Sequence, residues 1–324
     1  MQRIEREVDT VTFVANSRRA GVKLPQVEFL SEVWLDFSGT LTIAMGAGSA
    51  VLTQQGGFGL IAQAQLVLNG YLKLGNISPF TLSGYMLSIL NRIDRPGYVD
   101  RFTTPVLAGA NTWSFHLRMP ITATDTNMSG ILFSGMPASQ MTVFITWADI
   151  PQAVTLAGGA TATLTGQVAI RTVTFQVADG EGFDIFSLHA LSSQVDAIAA
   201  AGVKSIVLPP GNLYLRIIHA VRNNSLYLNG YATQLQFEVQ RYADPITLSE
   251  DRALALQRWR YLTDLPVGTY VFDYFWPRTL RDAIDTGGLN DVQSKITVGA
   301  VVGVADVETA IEQYVSIERP KRAA

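Results

Sequence analysis

The chain has 324 residues, of which 48% are hydrophobic and only 16% charged, against roughly 25% charged in an ordinary soluble protein. Its net charge of −3 gives no overall electrostatic pull toward nucleic acid, so no specific nucleic-acid partner is expected. The absence of cysteine removes disulfides, zinc–thiolate sites, iron–sulfur clusters and thiol catalysis together.

The first thirteen residues, "MQRIEREVDTVTF", place Glu5, Glu7 and Asp9 where an export signal would need an unbroken apolar run. No later run reaches the ~18 apolar residues of a membrane-spanning helix. Residues 1–30 are therefore expected to form an N-terminal arm, made basic by Arg18, Arg19 and Lys23 in "NSRRAGVK". From there "EVWLDFSGTLTI" alternates Val33, Leu35, Phe37, Leu41 and Ile43 with a second set of side chains, the period of a half-buried strand. "QAQLVLNGYLKL" keeps Leu66, Leu68, Leu72 and Leu74 in phase across Asn69-Gly70, the dipeptide that most readily makes a two-residue hairpin turn.

Further alternating or β-branched runs predict strands over Trp113–Thr122, Gln140–Trp147, Leu164–Val177, Leu213–Ala220, Gln234–Gln240, Gly268–Phe275 and Lys295–Val304. Helices are predicted from Ser78, over Ser192–Ala200 and from Ser249. In the last, Ser249 is an N-cap and Glu250 and Asp251 stand in the first turn, where the helix dipole favours acids. The uncharged stretch "PQAVTLAGGATATLT" reads as a linker, giving a first half at 31–152, a linker at 153–163, a second half at 164–318 and a basic tail at 319–324. The tail carries Arg319, Lys321 and Arg322.

The two halves echo each other. "LVLNGY" at Leu66 and "LYLNGY" at Leu226 differ at one position and lie 160 residues apart, which predicts a second hairpin turn at Asn229-Gly230. "TWSFHLRMP" at Thr112 can be laid on "TYVFDYFWP" at Thr269, an offset of 157, and "SQMTV" at Ser139 on "SKITV" at Ser294, an offset of 155. A helix is predicted soon after the first hexapeptide but a strand after the second, so the two hairpins need not be equivalent.

The residue types that carry catalysis do not converge. His116, His189 and His219 stand far apart, without His-x-His or His-x-x-x-His spacing. "GFGLIA" at Gly57–Ala62 satisfies G-x-G-x-x-A but runs on into an alternating strand instead of the helix that would aim amides at a pyrophosphate. Asp179, Glu181 and Asp184 in "DGEGFD" could coordinate calcium but lack the EF-hand pattern, and Asp282, Asp285 and Asp291 read as ordinary loop acids. No catalytic, metal or cofactor residue is assigned. The basic groups at the two ends could instead lie against anionic lipid or a partner, or simply be solvated.

Three stretches resemble the major capsid proteins with a double jelly roll, found in tailless membrane-containing bacteriophages and related icosahedral viruses. They are "AQLVLNGYLKL", "WSFHLRMPIT…GILFSGMPASQMTVFITW" and "LPVGTYVFDYFWP…IDTGGLNDVQSKITV", similar respectively to an early hairpin, the ending of the first barrel and the matching part of the second. The resemblance implies a mainly β chain of two consecutive eight-stranded jelly-roll barrels with a few short helices in loops. It also implies homotrimers that act as pseudo-hexagonal capsomers of an icosahedral virion shell, made in the host cytoplasm. Penton and minor capsid proteins would be further partners, and Arg18, Arg19 and Lys23 could meet an internal membrane. The loops at about 75–110 and 179–210 are modest beside the towers of many such proteins, so receptor binding would fall to another protein. The alternatives are a carbohydrate-binding or carbohydrate-cleaving β-sandwich, using Trp147, Trp259 or Trp276 near Asp149 or Asp285, and a surface adhesion domain.

Overall fold

Gln140–Trp147 shows how this sequence makes strands: Met141, Val143, Ile145 and Trp147 are buried, and the residues between them half-buried, along its whole length. The same period-two logic recurs through a computed structural model that describes residues 2–15, 18–26, 29–69, 80–94, 106–122, 132–133, 140–176, 187–239, 246–276 and 282–316. Two compact units result, Met1–Ile185 and Phe186–Ala324.

The first unit contains β1 (Gln2–Thr12), β2 (Arg19–Lys23), β3 (Phe29–Ala44), β4 (Ser49–Leu52), β5 (Ile61–Asn69) and β6 (Phe80–Leu82). After α1 (Gly84–Asp94) come β7 (Gly109–Pro120), β8 (Leu132–Phe133), β9 (Gln140–Trp147), β10 (Val154–Ala157) and β11 (Thr161–Gln176). One sheet has the order β1-β11-β3-β7, with β8 also on β3; the other is β2-β9-β5-β6, and β4 pairs with β10. The two sheets share a core in which Phe37 of β3 meets Trp147 of β9 edge to face at 6.3 Å and stacks on Phe115 of β7 at 4.7 Å.

The second unit contains β12 (Ser187–Ala197), β13 (Gly202–Val207), β14 (Leu213–Asn223), β15 (Leu226–Tyr227), β16 (Ala232–Val239) and β17 (Ile246–Ser249). It continues through α2 (Glu250–Tyr261), β18 (Thr269–Asp273), β19 (Ile284–Asp285), β20 (Val292–Val298) and β21 (Asp306–Ser316). Its sheets are β12-β21-β14, with β15, β18 and β19 on β14, and β13-β20-β16-β17. Ile217, Phe237, Phe272, Ile296 and Ile311, drawn from both sheets, lie in one core.

Eight strands correspond between the units: β1/β12, β2/β13, β3/β14, β5/β16, β6/β17, β7/β18, β9/β20 and β11/β21. Counted in chain order, one sheet of each unit reads first, eighth, third, sixth and the other second, seventh, fourth, fifth. Every strand pair is antiparallel, and a helix separates the fifth strand from the sixth in both units. This is the jelly-roll order, present twice, as the resemblance implies.

Several expectations are corrected. The stretch expected as a linker is part of the first unit: Val154–Ala157 pairs with β4, and β11 lies between β1 and β3. Its small residues serve the β10–β11 turn, where Gly158 and Gly159 have φ of 63° and 82°. The break between units falls instead at Ile185/Phe186. Residues 1–30 are not an arm, because β1 pairs with β11 from Gln2↔Gln176 to Thr12↔Gln167 and β2 pairs with β9. Ser192–Ala200 is not helical: Ser187–Ala197 pairs with β21 along its full length. The helix expected from Ser78 begins at Gly84, with Ser83 Oγ accepting from the Met86 N–H. The one expected from Ser249 runs as read, capped by Ser249 Oγ.

The turn expected at Asn69-Gly70 lies outside the described residues from Gly70 on; Leu66 of β5 pairs with Phe80 of β6. Asn229-Gly230 is a turn, with Gly230 at φ 82°, but it leads from β15 in one sheet to β16 in the other. The tight hairpin of this region is at Asn224-Ser225, five residues earlier. The two hexapeptides are therefore not equivalent, whereas the other two sequence matches fall on the corresponding pairs β7/β18 and β9/β20.

Candidate interaction surfaces

The histidines are parts of the framework. Asp36 accepts from His116 Nδ1 at 2.5 Å and also holds the Arg171 guanidinium, linking β7, β3 and β11. In the second unit Arg216 Nη1 donates to Glu312 Oε2 at 3.0 Å while His189 Nε2 meets Glu312 Oε1 at 2.8 Å. Arg216 Nε faces Asp273 Oδ1 at 3.4 Å, and Tyr261 donates its hydroxyl to Asp273 Oδ2 at 2.7 Å, which ties α2 to the sheet beneath. Burial, with the Asp273 carboxylate next, pushes the Tyr261 phenol well above its usual range.

His219 stands between Ser294 Oγ at 2.8 Å from Nε2 and Thr309 Oγ1 at 3.0 Å from Nδ1. Ser294 donates to the Gln236 carbonyl, so it accepts from Nε2–H and leaves Nδ1 to accept from Thr309. Burial lowers the imidazole to about 3, so it is neutral at physiological pH.

Among the described residues no group of three or more His, Asp or Glu is placed to hold a metal ion. Asp179, Glu181 and Asp184 lie outside those residues. Asp285 accepts from the Gly287 N–H and Asp291 from Gln293, so both serve their own loop. Gly56–Leu60 forms a short 3₁₀ turn feeding β5, not a phosphate-binding loop. Trp147 is a fully buried core residue, and Trp276 packs edge-on against Tyr261 at 6.1 Å.

The structure places Arg18, Arg19 and Lys23 at or beside the edge strand β2, all exposed. Arg19 is engaged within the sheet: its guanidinium lies 3.9 Å from the Phe144 ring centroid and donates to Gln65 Oε1 at 2.8 Å. Arg319, Lys321 and Arg322 lie outside the described residues. Asn229 and Gly230 join loops: Asn229 Oδ1 accepts from the Gly268 N–H, and Glu250 Oε1 accepts from both the Gly230 N–H and the Tyr270 hydroxyl.

Exposed apolar side chains are distributed unevenly. Of fourteen large hydrophobic residues exposed among the described residues, eleven belong to the second unit. Val195, Val203 and Val207 line the edge strands β12 and β13. Leu226, Leu228, Val267, Val302 and Val304 surround one end, where Asn224 and Ser225 donate their N–H groups to the carbonyls of Val302 and Val304. Trp259 and Leu262 project from α2.

No family model matches the sequence, and comparison with curated proteins gives no match. Solved structures do match. The major capsid protein of Sulfolobus turreted icosahedral virus superposes with a TM-score of 0.78 at 16% identity, over 100% of both chains. VP54 of PBCV-1 gives 0.67 at 10% identity over 97% of this chain and 94% of its own. The major capsid protein P2 of bacteriophage PM2 gives 0.57 at 12% identity over 99% of each. The fold is a double jelly roll. The likeness runs end to end, so both barrels and their order along the chain are included.

Within this double jelly roll Trp259, named in the sequence only for a carbohydrate site, is exposed on α2, whereas the exposed valines and leucines of the second unit were not singled out. The signal was present for α2: Ala253, Gln257 and Tyr261 mark one face at four-residue spacing, and Trp259 and Leu262 fall on the opposite one.

Proposed function

We propose that this chain is a structural major capsid protein without catalytic activity. Three copies form a pseudo-hexagonal capsomer, and many capsomers tile an icosahedral virion shell. The observation that carries this is the same eight-strand order occurring twice in one chain. Three such chains in a ring present six nearly equivalent barrels, which is what hexagonal tiling requires while keeping strict threefold symmetry.

The low charge and the exposed valines and leucines of the second unit support the reading, since obligate interfaces resemble a core cut in half. The full-length likeness to capsid proteins of three viruses supports it further. Penton and minor capsid proteins would join after the trimer forms. Arg18 and Lys23, exposed on and beside β2, are the cations available to an internal membrane.

Multi-angle light scattering on the purified chain tests this. A stable species of three chain masses is expected; a monomer at all concentrations that is retained on a glycan column would favour a carbohydrate-binding protein instead.

A further inference from the structure

Asn-Gly is the dipeptide in which an asparagine side chain most readily attacks its own backbone, because glycine puts no side chain in the way. At Asn229-Gly230 the Gly230 nitrogen would bond to Asn229 Cγ and the Cγ–Nδ2 bond would break. Ammonia leaves with the proton that the nitrogen gives up. Water then opens the succinimide ring to aspartate or isoaspartate.

Burial does not shield this dipeptide. Asn229 and Gly230 are both exposed, and a Cβ built on Gly230 would meet no atom within 4 Å. Each reacting group is instead held by a residue from another loop. The Gly230 N–H donates to Glu250 Oε1, so losing that proton would set a second negative charge against the carboxylate. Asn229 Oδ1 accepts from the Gly268 N–H at 2.7 Å, which fixes the side-chain amide to the loop before β18.

Both anchors are themselves fixed. Glu250 is the first residue of α2, and its Oε1 also accepts from the Tyr270 hydroxyl at 2.7 Å. Gly268 has φ 73°, its carbonyl accepts from the Val221 N–H at 2.9 Å, and a Cβ on it would fall 2.9 Å from the Leu228 nitrogen.

We propose that Asn229 is a deamidation site kept latent by this clamp. It converts only during the fraction of time in which Glu250 and Gly268 let go. Conversion puts a new carboxylate in the turn that Glu250 holds, and isoaspartate adds a backbone methylene between β15 and β16, so either product weakens the clamp. The inference does not rest on the capsid reading.

The test incubates the folded chain beside the peptide LYLNGYA, residues 226–232, at neutral pH and 37 °C. Fragmentation mass spectrometry reads the gain of ~1 Da at residue 229 separately from Asn223 and Asn224. The folded chain should convert at least about tenfold more slowly than the peptide. Equal rates would overturn the proposal, and this comparison needs no variant.

Two variants identify the clamp, each checked by circular dichroism. Glu250→Ala removes the acceptor and should bring the rate at least about threefold closer to that of the peptide. Glu250→Gln keeps an oxygen acceptor and should stay within about twofold of wild type. A folded Glu250→Ala variant as slow as wild type, or a folded Glu250→Gln variant as fast as the peptide, would overturn the role of Glu250. Should Glu250→Ala not fold, Tyr270→Phe removes only the hydroxyl that positions Glu250 and should raise the rate about twofold or more; an unchanged rate would overturn that role equally.

Discussion

Asn223 and Leu226 pair directly across a two-residue turn whose central residues, Asn224 and Ser225, have φ of 53° and 62°. Both central residues in the left-handed region make a type I′ turn, whose twist matches the strands it joins. Asparagine suits the first position, but serine at the second is strained where glycine would be at ease. Ser225→Gly should stabilise the protein by about 0.5–1 kcal/mol, seen as a rise of about 1–4 °C in thermal midpoint. A fall in the midpoint would contradict the assigned turn.

The buried imidazole of His219 makes stability depend on acid. Its folded value is lowered from 6.5 to about 3, so between those pH values the unfolded chain takes up a proton that the folded chain does not. The stabilisation is complete above pH 6.5 and is lost as pH falls through that window, by about 1.4 kcal/mol per unit for this one group. His219→Gln should be less stable at pH 7.5 by about 1–3 kcal/mol, yet lose stability with one proton fewer between pH 6.5 and 4. Urea unfolding at several pH values measures both slopes, and equal slopes would contradict the assignment.

Two arginine substitutions should differ in cost. Arg216 is buried between Glu312 and Asp273, so Arg216→Met removes the cation that faces two buried acids and should cost about 3–5 kcal/mol. Arg222 makes two 2.7 Å bonds to Asp306 in a partly exposed site, and Arg222→Met should cost about 1 kcal/mol. Urea midpoints that reversed this order would show that burial does not govern these pairs.

Gly39 of β3 pairs with Gly166 of β11, and the Phe37 ring lies over both. A Cβ at Gly39 would fall 2.8 Å from the Thr165 carbonyl oxygen and 3.0 Å from Gly166 Cα, both backbone atoms. Gly39→Val should therefore cost about 1–3 kcal/mol by chemical denaturation, despite the high β propensity of valine. A neutral result would mean that β3 and β11 separate more easily than their register implies.

Much of the fold was legible in residue patterns, and the failures have physical causes. Alternation located β3, β9, β16 and β20 because each has one face in a core, whereas β14, buried at every position from Tyr214 to Val221, was found as an apolar and β-branched run. β1 was hidden because Glu5, Glu7 and Asp9 point outward from an edge strand whose inner positions, Ile4, Arg6 and Val8, are only half-buried. The false linker arose because β11 carries small residues over Thr161–Gly166, where it lies beside Gly39 and is only partly buried. "SSQVDAIAA" reads as helix locally, but its pairing with β21 is a long-range contact that no local pattern reports. The shared hexapeptide starts inside β5 in the first unit but precedes β16 in the second, so it marks two different points in the strand order. The α2 surface was readable from helical spacing alone, though its exposure depends on what the rest of the chain leaves uncovered.

Negative-stain imaging of the purified oligomer tests the proposed architecture most directly. Class averages with threefold symmetry and six lobes, alternating between two slightly different shapes, are the predicted result. A two-lobed single chain, or a closed ring with any other number of barrels, would contradict it.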